Sequence, residues 1–219
     1  MNSMLDILAG MLIGGMIMIL TLTVTERGNR EFFNYNADAI VQSNLAQIAH
    51  ITEWDLRKMG YGIKEAQTPT ILQVAEDDQL KYLTHLNAST DQVADTIEYT
   101  IIPDEVIDYG DTSLTMYNIY RKITIAGETP DVNMIGKIGN GNVFRYLDQI
   151  GNPAPVQMAT RMVEVTLVAF NPRVVLSPDF VAARLDSVNG AKQRKEELTR
   201  LLRPSFWRQT RLVSKNLRR

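Results

Sequence analysis

The sequence predicts an α+β protein in which a long N-terminal helix packs on an antiparallel β-sheet head, the helix having a transmembrane half and an amphipathic half. Three observations lead there. The run Ile7–Val24, ILAGMLIGGMIMILTLTV, carries no charge over 18 positions, about the length a helix needs to cross a ~30 Å hydrocarbon core at ~1.5 Å per residue. It passes without a proline into Glu31–Met59, where apolar residues fall at helical spacing. Beyond Gly62 the pattern turns to the apolar/polar alternation of half-buried strands.

A chain of 219 residues, 45% of them hydrophobic, holds one anchor and one head of ordinary domain size. The expected division is 1–25 as the transmembrane and assembly helix, 26–62 as its amphipathic continuation, and 63–219 as a β-rich head with short helices near 178–202. The net charge of −2 supplies no basic field, which argues against nucleic acid as a partner. Basic residues gather instead at the C-terminus, where Lys192, Arg194, Lys195, Arg200, Arg203, Arg208, Arg211, Lys215, Arg218 and Arg219 face only Glu196 and Glu197. They suit anionic lipid, an acidic partner, or an edge strand whose arginines block aggregation. Cysteine is absent, which removes disulfides, thiolate metal sites and thiol nucleophiles together.

In the anchor, Gly10-x-x-x-Gly14 followed by Gly15 is the small-residue spacing that lets membrane helices approach closely, although glycine is also common in such helices generally. Asp6 opens the run. It suits either an interfacial carboxylate at a helix N-terminus or, inside a helix assembly, a partner for a neighbouring N-terminal amine. No Lys or Arg precedes the run, unlike a cleavable signal, so the segment is expected to be retained. Arg27 and Arg30 follow it, but Glu26 and Glu31 flank them, and charge alone leaves the orientation open.

Ile40 or Val41, Leu45, Ile48, Ile51, Leu56 and Met59 define the apolar face of the continuing helix. Asn36, Asp38, Gln42, Gln47 and Asp55 form its polar side, expected to face water or a subunit. Gly60-Tyr61-Gly62 ends it, since glycine adopts the left-handed conformation without a side-chain penalty. Strands are then expected at Thr70–Val74, Leu80–Leu86, Asp95–Ile102, Leu114–Ile125, Val143–Leu147 and Met162–Phe170, joined into one antiparallel sheet. Asp77-Asp78, Asn87–Thr90 and the glycine-rich Gly136–Gly141 read as turns. Phe180–Val188 and Ala191–Leu202 read as short helices, and Phe206–Leu217 as a last strand.

Catalytic signatures are missing from the sequence. His50 and His85 have no second ligand at metal spacing, and no Walker loop, G-x-S-x-G or dinucleotide fingerprint stands between a strand and a helix. The densest acidic stretch, Asp104, Glu105, Asp108 and Asp111 beside Gly110, is read as a loop. Asp104, Asp108 and Asp111 make a weak calcium candidate, because their spacing does not match an EF-hand, and a solvated loop is the alternative. No other cofactor and no small-molecule substrate is expected.

The stretch Trp54-Asp55-Leu56-Arg57-Lys-Met-Gly60-Tyr61-Gly62 resembles the end of the long helix in type IV pilin-like minor subunits, particularly the PilW minor pilins and the type II secretion pseudopilin J. Downstream, Thr96-Ile-Glu-Tyr99 resembles that family's first central strand, Asn118-Ile-Tyr-Arg121 its L-Y-R strand, Met162–Phe170 the next strand, and Arg211–Leu217 the closing one. The resemblance implies a structural subunit without enzymatic activity. Its helix would sit in the bacterial inner membrane and then pack with other pilin-like subunits in a filament. Its head would lie in the periplasm or outside the cell, where it primes or tips a pilus or secretion pseudopilus.

Family members carry a basic leader and a Glu at mature position five. Here the chain opens Met-Asn-Ser-Met-Leu-Asp, so the expectation is either a leaderless variant in which Asp6, fifth when Asn2 is counted first, takes that place, or a start that leaves out the leader. Asp6, Gly10, Gly14 and Gly15 would then carry assembly, and the sheet edge near Arg211–Leu217 the head contacts. The alternative is a monomeric binding domain that the anchor merely tethers to a membrane.

Overall fold

In a computed structural model the described residues are 2–63, 70–86, 93–108, 113–126, 128–170, 175, 178–188, 190–201 and 206–213. They combine one long helix with antiparallel sheets, an α+β architecture. Two compact units are present, residues 1–40 and 41–219. Helix α1, Asn2–Arg57, contributes to both.

In the first unit, every large apolar side chain from Ile7 to Val24 is at least 56% exposed. The hydroxyls of Thr21, Thr23 and Thr25 each donate to the carbonyl four residues back, at 2.8 Å. They therefore satisfy themselves within the helix and need no water.

The second unit is built on two sheets where the alternation predicted one. Strands β1 (Leu72–Ala75), β2 (Gln79–Thr84), β3 (Asp95–Asp108), β4 (Ser113–Thr124) and β5 (Asp131–Ile138) form a five-stranded sheet in sequential order. Strands β6 (Phe144–Leu147), β7 (Met162–Ala169) and β8 (Phe206–Val213) form a second sheet, with β7 at its centre. All pairings are antiparallel. Backbone bonds tie the sheets together: the Asp77 carbonyl, in the expected turn, accepts Val143 N and Phe144 N, and Gly139 N donates to the Val168 carbonyl at 2.8 Å.

Alternation decides which side of each strand is buried. Ile97, Tyr99 and Ile101 are within 4% of full burial while Thr96, Glu98 and Thr100 are only partly covered, the pattern of a sheet covered on one face. Leu45, Ile48 and Leu56 of α1, and Met59 in the turn beyond it, join them in one core with Leu80, Tyr82, Ile119, Phe144, Val165 and Leu167. Two short helices, α2 (Pro178–Asp186) and α3 (Ala191–Leu201), close a small separate cluster of Val181, Leu185 and Leu198.

Three expectations change. Residues 136–138, the first half of the expected turn Gly136–Gly141, belong instead to β5, and Gly136 lies at an irregularity in its register with β4, between Ile119 and Tyr120. The approach is close there: an added Cβ would lie 2.3 Å from Ile48 Cδ1, so Ile48 would have to shift to admit one. The acidic stretch is strand up to Asp108, since β3 and β4 remain paired from Thr96↔Thr124 to Asp108↔Ser113. Asp55, read as water- or subunit-facing, is fully buried. Residues 87–90, 202 and 214–217, parts of an expected turn, helix and strand, lie outside the described residues.

Candidate functional site

Asp55, Tyr99 and Arg121, from three separate stretches of the sequence, converge on one point. Tyr99 and Arg121 stand directly opposite each other in the β3–β4 register, so their side chains share the face that meets α1. Asp55, in the last turn of α1, receives both. Arg121 Nε donates to Asp55 Oδ2 at 2.5 Å and Nη2 to Oδ1 at 2.9 Å, a two-pronged pair, while Tyr99 Oη donates to Oδ2 at 2.6 Å. A fully buried carboxylate is costly unless its lone pairs are taken up, and here three donors do so. That is why the motif's aspartate lies in the core, contrary to its polar reading.

The surroundings bear the electrostatic mark of this arrangement. Burial first, and then the negative charge of Asp55, push the Tyr99 hydroxyl well above its ordinary pKa. Tyr82 is raised in the same direction by burial, Tyr99 and Asp55. Hydrogen bonding to Asp55 raises Arg121. The site is a clamp: a two-pronged Arg121–Asp55 pair and the Tyr99 hydroxyl hold the end of the helix on the sheet.

The rest of the motif terminates the helix. Leu56 is core, Arg57 is exposed, and Gly60 and Gly62 have φ of 69° and 73°, as the glycine pattern predicts. Gly60 N donates to the Leu83 carbonyl at 2.8 Å, the Tyr61 carbonyl accepts His85 N, and a Cβ on Gly62 would meet His85 Cβ at 3.0 Å. The Tyr61 ring is exposed.

Among the described residues, four C-terminal arginines, Arg194, Arg200, Arg208 and Arg211, are used within the chain. On β8, Arg208 Nη2 reaches Glu53 Oε1 of α1 at 3.1 Å and Thr210 Oγ1 reaches the same oxygen at 2.8 Å, while Arg211 pairs with the buried Glu164 of β7. Arg184 and Arg200 share Glu197, and Arg194 meets Asp186.

The remaining candidates are not brought together. Gly10, Gly14 and Gly15 lie along α1, where an added Cβ would meet nothing within 4 Å. Asp6 lies in the first turns of the same helix, and its side chain is outside the described residues. Asp104 is held by Lys137 Nζ at 2.6 Å, a contact that lowers its pKa, and Glu105 shares that lysine at 3.6 Å. Asp108 is exposed on β3, and Asp111 lies outside the described residues. Among the described residues no three His, Asp or Glu side chains converge to hold a metal ion.

Fold and site together define an α+β protein clamped to its own helix end, with one N-terminal helix long and apolar enough to cross a membrane. The chain matches no family model, no curated protein and no solved structure.

Proposed function

We propose that the chain is a structural, non-enzymatic subunit of the minor pilin or pseudopilin kind. Its N-terminal helix is stored in a bacterial inner membrane with the head on the periplasmic or extracellular side. From there it packs against the helices of other pilin-like subunits to prime or tip a type IV pilus or a type II secretion-type filament.

The observation that carries this reading is the exposure of Ile7–Val24. Leaving one large apolar side chain in water forgoes ~1.5–3 kcal/mol, so a run of this length forgoes tens of kcal/mol, more than the ~5–15 kcal/mol that holds a typical domain folded. Lipid or other helices must cover it. Gly10, Gly14 and Gly15 favour helices: glycine inside a helix costs ~1 kcal/mol relative to alanine, and nothing within the chain crowds those positions. The clamp adds support, because Asp55, Tyr99 and Arg121 come from three separate stretches of the resemblance and meet in one contact.

Asp6→Ala tests the assembly role. The expected result is loss of piliation or secretion and of co-purification with pilin homologues, with the chain still in the membrane fraction. Unchanged assembly and co-purification would remove Asp6 from that role and leave the tethered monomer as the better account.

A further inference from the structure

Residues 139–143 carry the chain from β5 of one sheet to β6 of the other, and their sequence is Gly139-Asn140-Gly141-Asn142-Val143. One side chain fastens this crossing to β7. Asn140 Nδ2 donates to the Thr166 carbonyl at 2.9 Å and to the Asn142 carbonyl at 2.7 Å, while its Oδ1 accepts Val168 N at 2.9 Å. An amide suits the place, having two donors and an acceptor in one planar group. Main-chain bonds flank it: Gly139 N donates to the Val168 carbonyl, and Thr166 N to the Val143 carbonyl. Asn140 is thus the latch of the junction between the two sheets. The residue after it is Gly141, and no side chain shields the Gly141 nitrogen from Asn140 Cγ. Both residues are half-buried, so water reaches them.

We propose that Asn140 is a modification site: a point of spontaneous deamidation that the latch holds in check and that, once converted, keeps the junction unlatched. Asparagine is one of the thermolabile residues. In the reaction the Gly141 backbone nitrogen bonds to Asn140 Cγ and gives up its proton, the Cγ–Nδ2 bond breaks, and ammonia leaves. Water then opens the cyclic imide at one of its two carbonyls, which leaves aspartate or isoaspartate at position 140. Losing Nδ2 means giving up both of its hydrogen bonds, so the reaction proceeds from the locally opened junction. The product cannot close the latch again. Where Nδ2 donated, a carboxylate oxygen faces the carbonyls of Thr166 and Asn142, acceptor against acceptor. None of this rests on the filament reading, and a tethered monomer would carry the same site.

The test follows the full chain in detergent micelles at mildly alkaline pH, reading deamidation from the mass gain of the tryptic peptide that holds Asn140. The comparators are the same chain in concentrated urea and the free peptide acetyl-Lys-Ile-Gly-Asn-Gly-Asn-Val-amide. The folded chain is expected to deamidate at Asn140 at least about tenfold more slowly than the peptide, and urea to restore the peptide's rate. A folded-chain rate within about twofold of the peptide's would overturn the proposal. The consequence is read in Asn140→Asp, the product of the reaction. Amide hydrogen exchange at Val168 N–H and Gly139 N–H is expected to rise about tenfold or more, with the β3–β4 ladder unchanged. If Asn140→Asp does not fold, the same exchange is measured in the deamidated fraction of the unsubstituted chain, separated by its added negative charge. Unchanged exchange at Val168 N–H in either sample would overturn the latch.

Discussion

Asp55 shows how one residue can belong to a motif for structural reasons. Its carboxylate is buried beneath the sheet and matched by Arg121 and Tyr99. Removing one partner of such a pair leaves the other charge stranded, which costs far more than the net worth of the intact pair. Asp55→Ala is therefore expected to lower head stability by about 3–4 kcal/mol, read as a lower urea midpoint by tryptophan fluorescence. Tyr99→Phe loses a single hydrogen bond to a charged group, and about 1.5–2 kcal/mol is expected. Tyr99 also sets a limit at alkaline pH. Its folded-state pKa is raised, by burial first and then by Asp55, whereas the unfolded phenol ionises near ~10. The stability it contributes is whole below about pH 10 and is lost as pH climbs towards the raised value. In Tyr99→Phe the alkaline fall should be shallower, by the same fluorescence assay.

At the scale of elements, the structure separates what alternation reveals from what it hides. Strand β3 was legible because Ile97, Tyr99 and Ile101 alternate strictly with Thr96, Glu98 and Thr100, and buried parity is a local property. Strand β5 was not. Asp131-Val132-Asn133-Met134 alternates on an exposed strand, but Ile135-Gly136 breaks the pattern, and the close neighbour of Gly136 is Ile48, distant in sequence. The split into two sheets was equally hidden, since it depends on long-range backbone bonds such as Asp77 to Val143. The clamp did leave a signal: Arg121 has the parity of the buried Ile119, and an arginine on a core-facing position needs a buried acid. Gly136→Ala tests the close approach. Ile48 must give way to the new methyl, so a loss of about 1–3 kcal/mol is expected. Adding Ile48→Ala, which makes room, should cost less than the sum of the two single changes in a double-mutant cycle of urea midpoints.

For the whole molecule, the question is what decides between water and an apolar environment. The head has an internal answer: α1 from Leu45 to Leu56 buries its apolar face against the sheets, and the β8 arginines are matched by Glu53 and Glu164. Residues 7–24 have no such answer within the chain, for their large side chains stay exposed and their threonine hydroxyls turn back onto the helix. Partitioning should then depend on the run alone. A lysine at the centre of a spanning helix costs ~2.5–3.5 kcal/mol in apparent insertion free energy, and two of them about 5–7 kcal/mol. Ile13→Lys with Ile17→Lys, one turn apart at the middle of the run, should move the chain out of the carbonate-resistant membrane fraction. Phe33→Lys, beyond the end of the run, should leave it there. If the doubly substituted chain resists carbonate extraction as the unsubstituted one does, the anchor is not Ile7–Val24; if Phe33→Lys is also released, the apolar run is longer than its uncharged 18 residues imply.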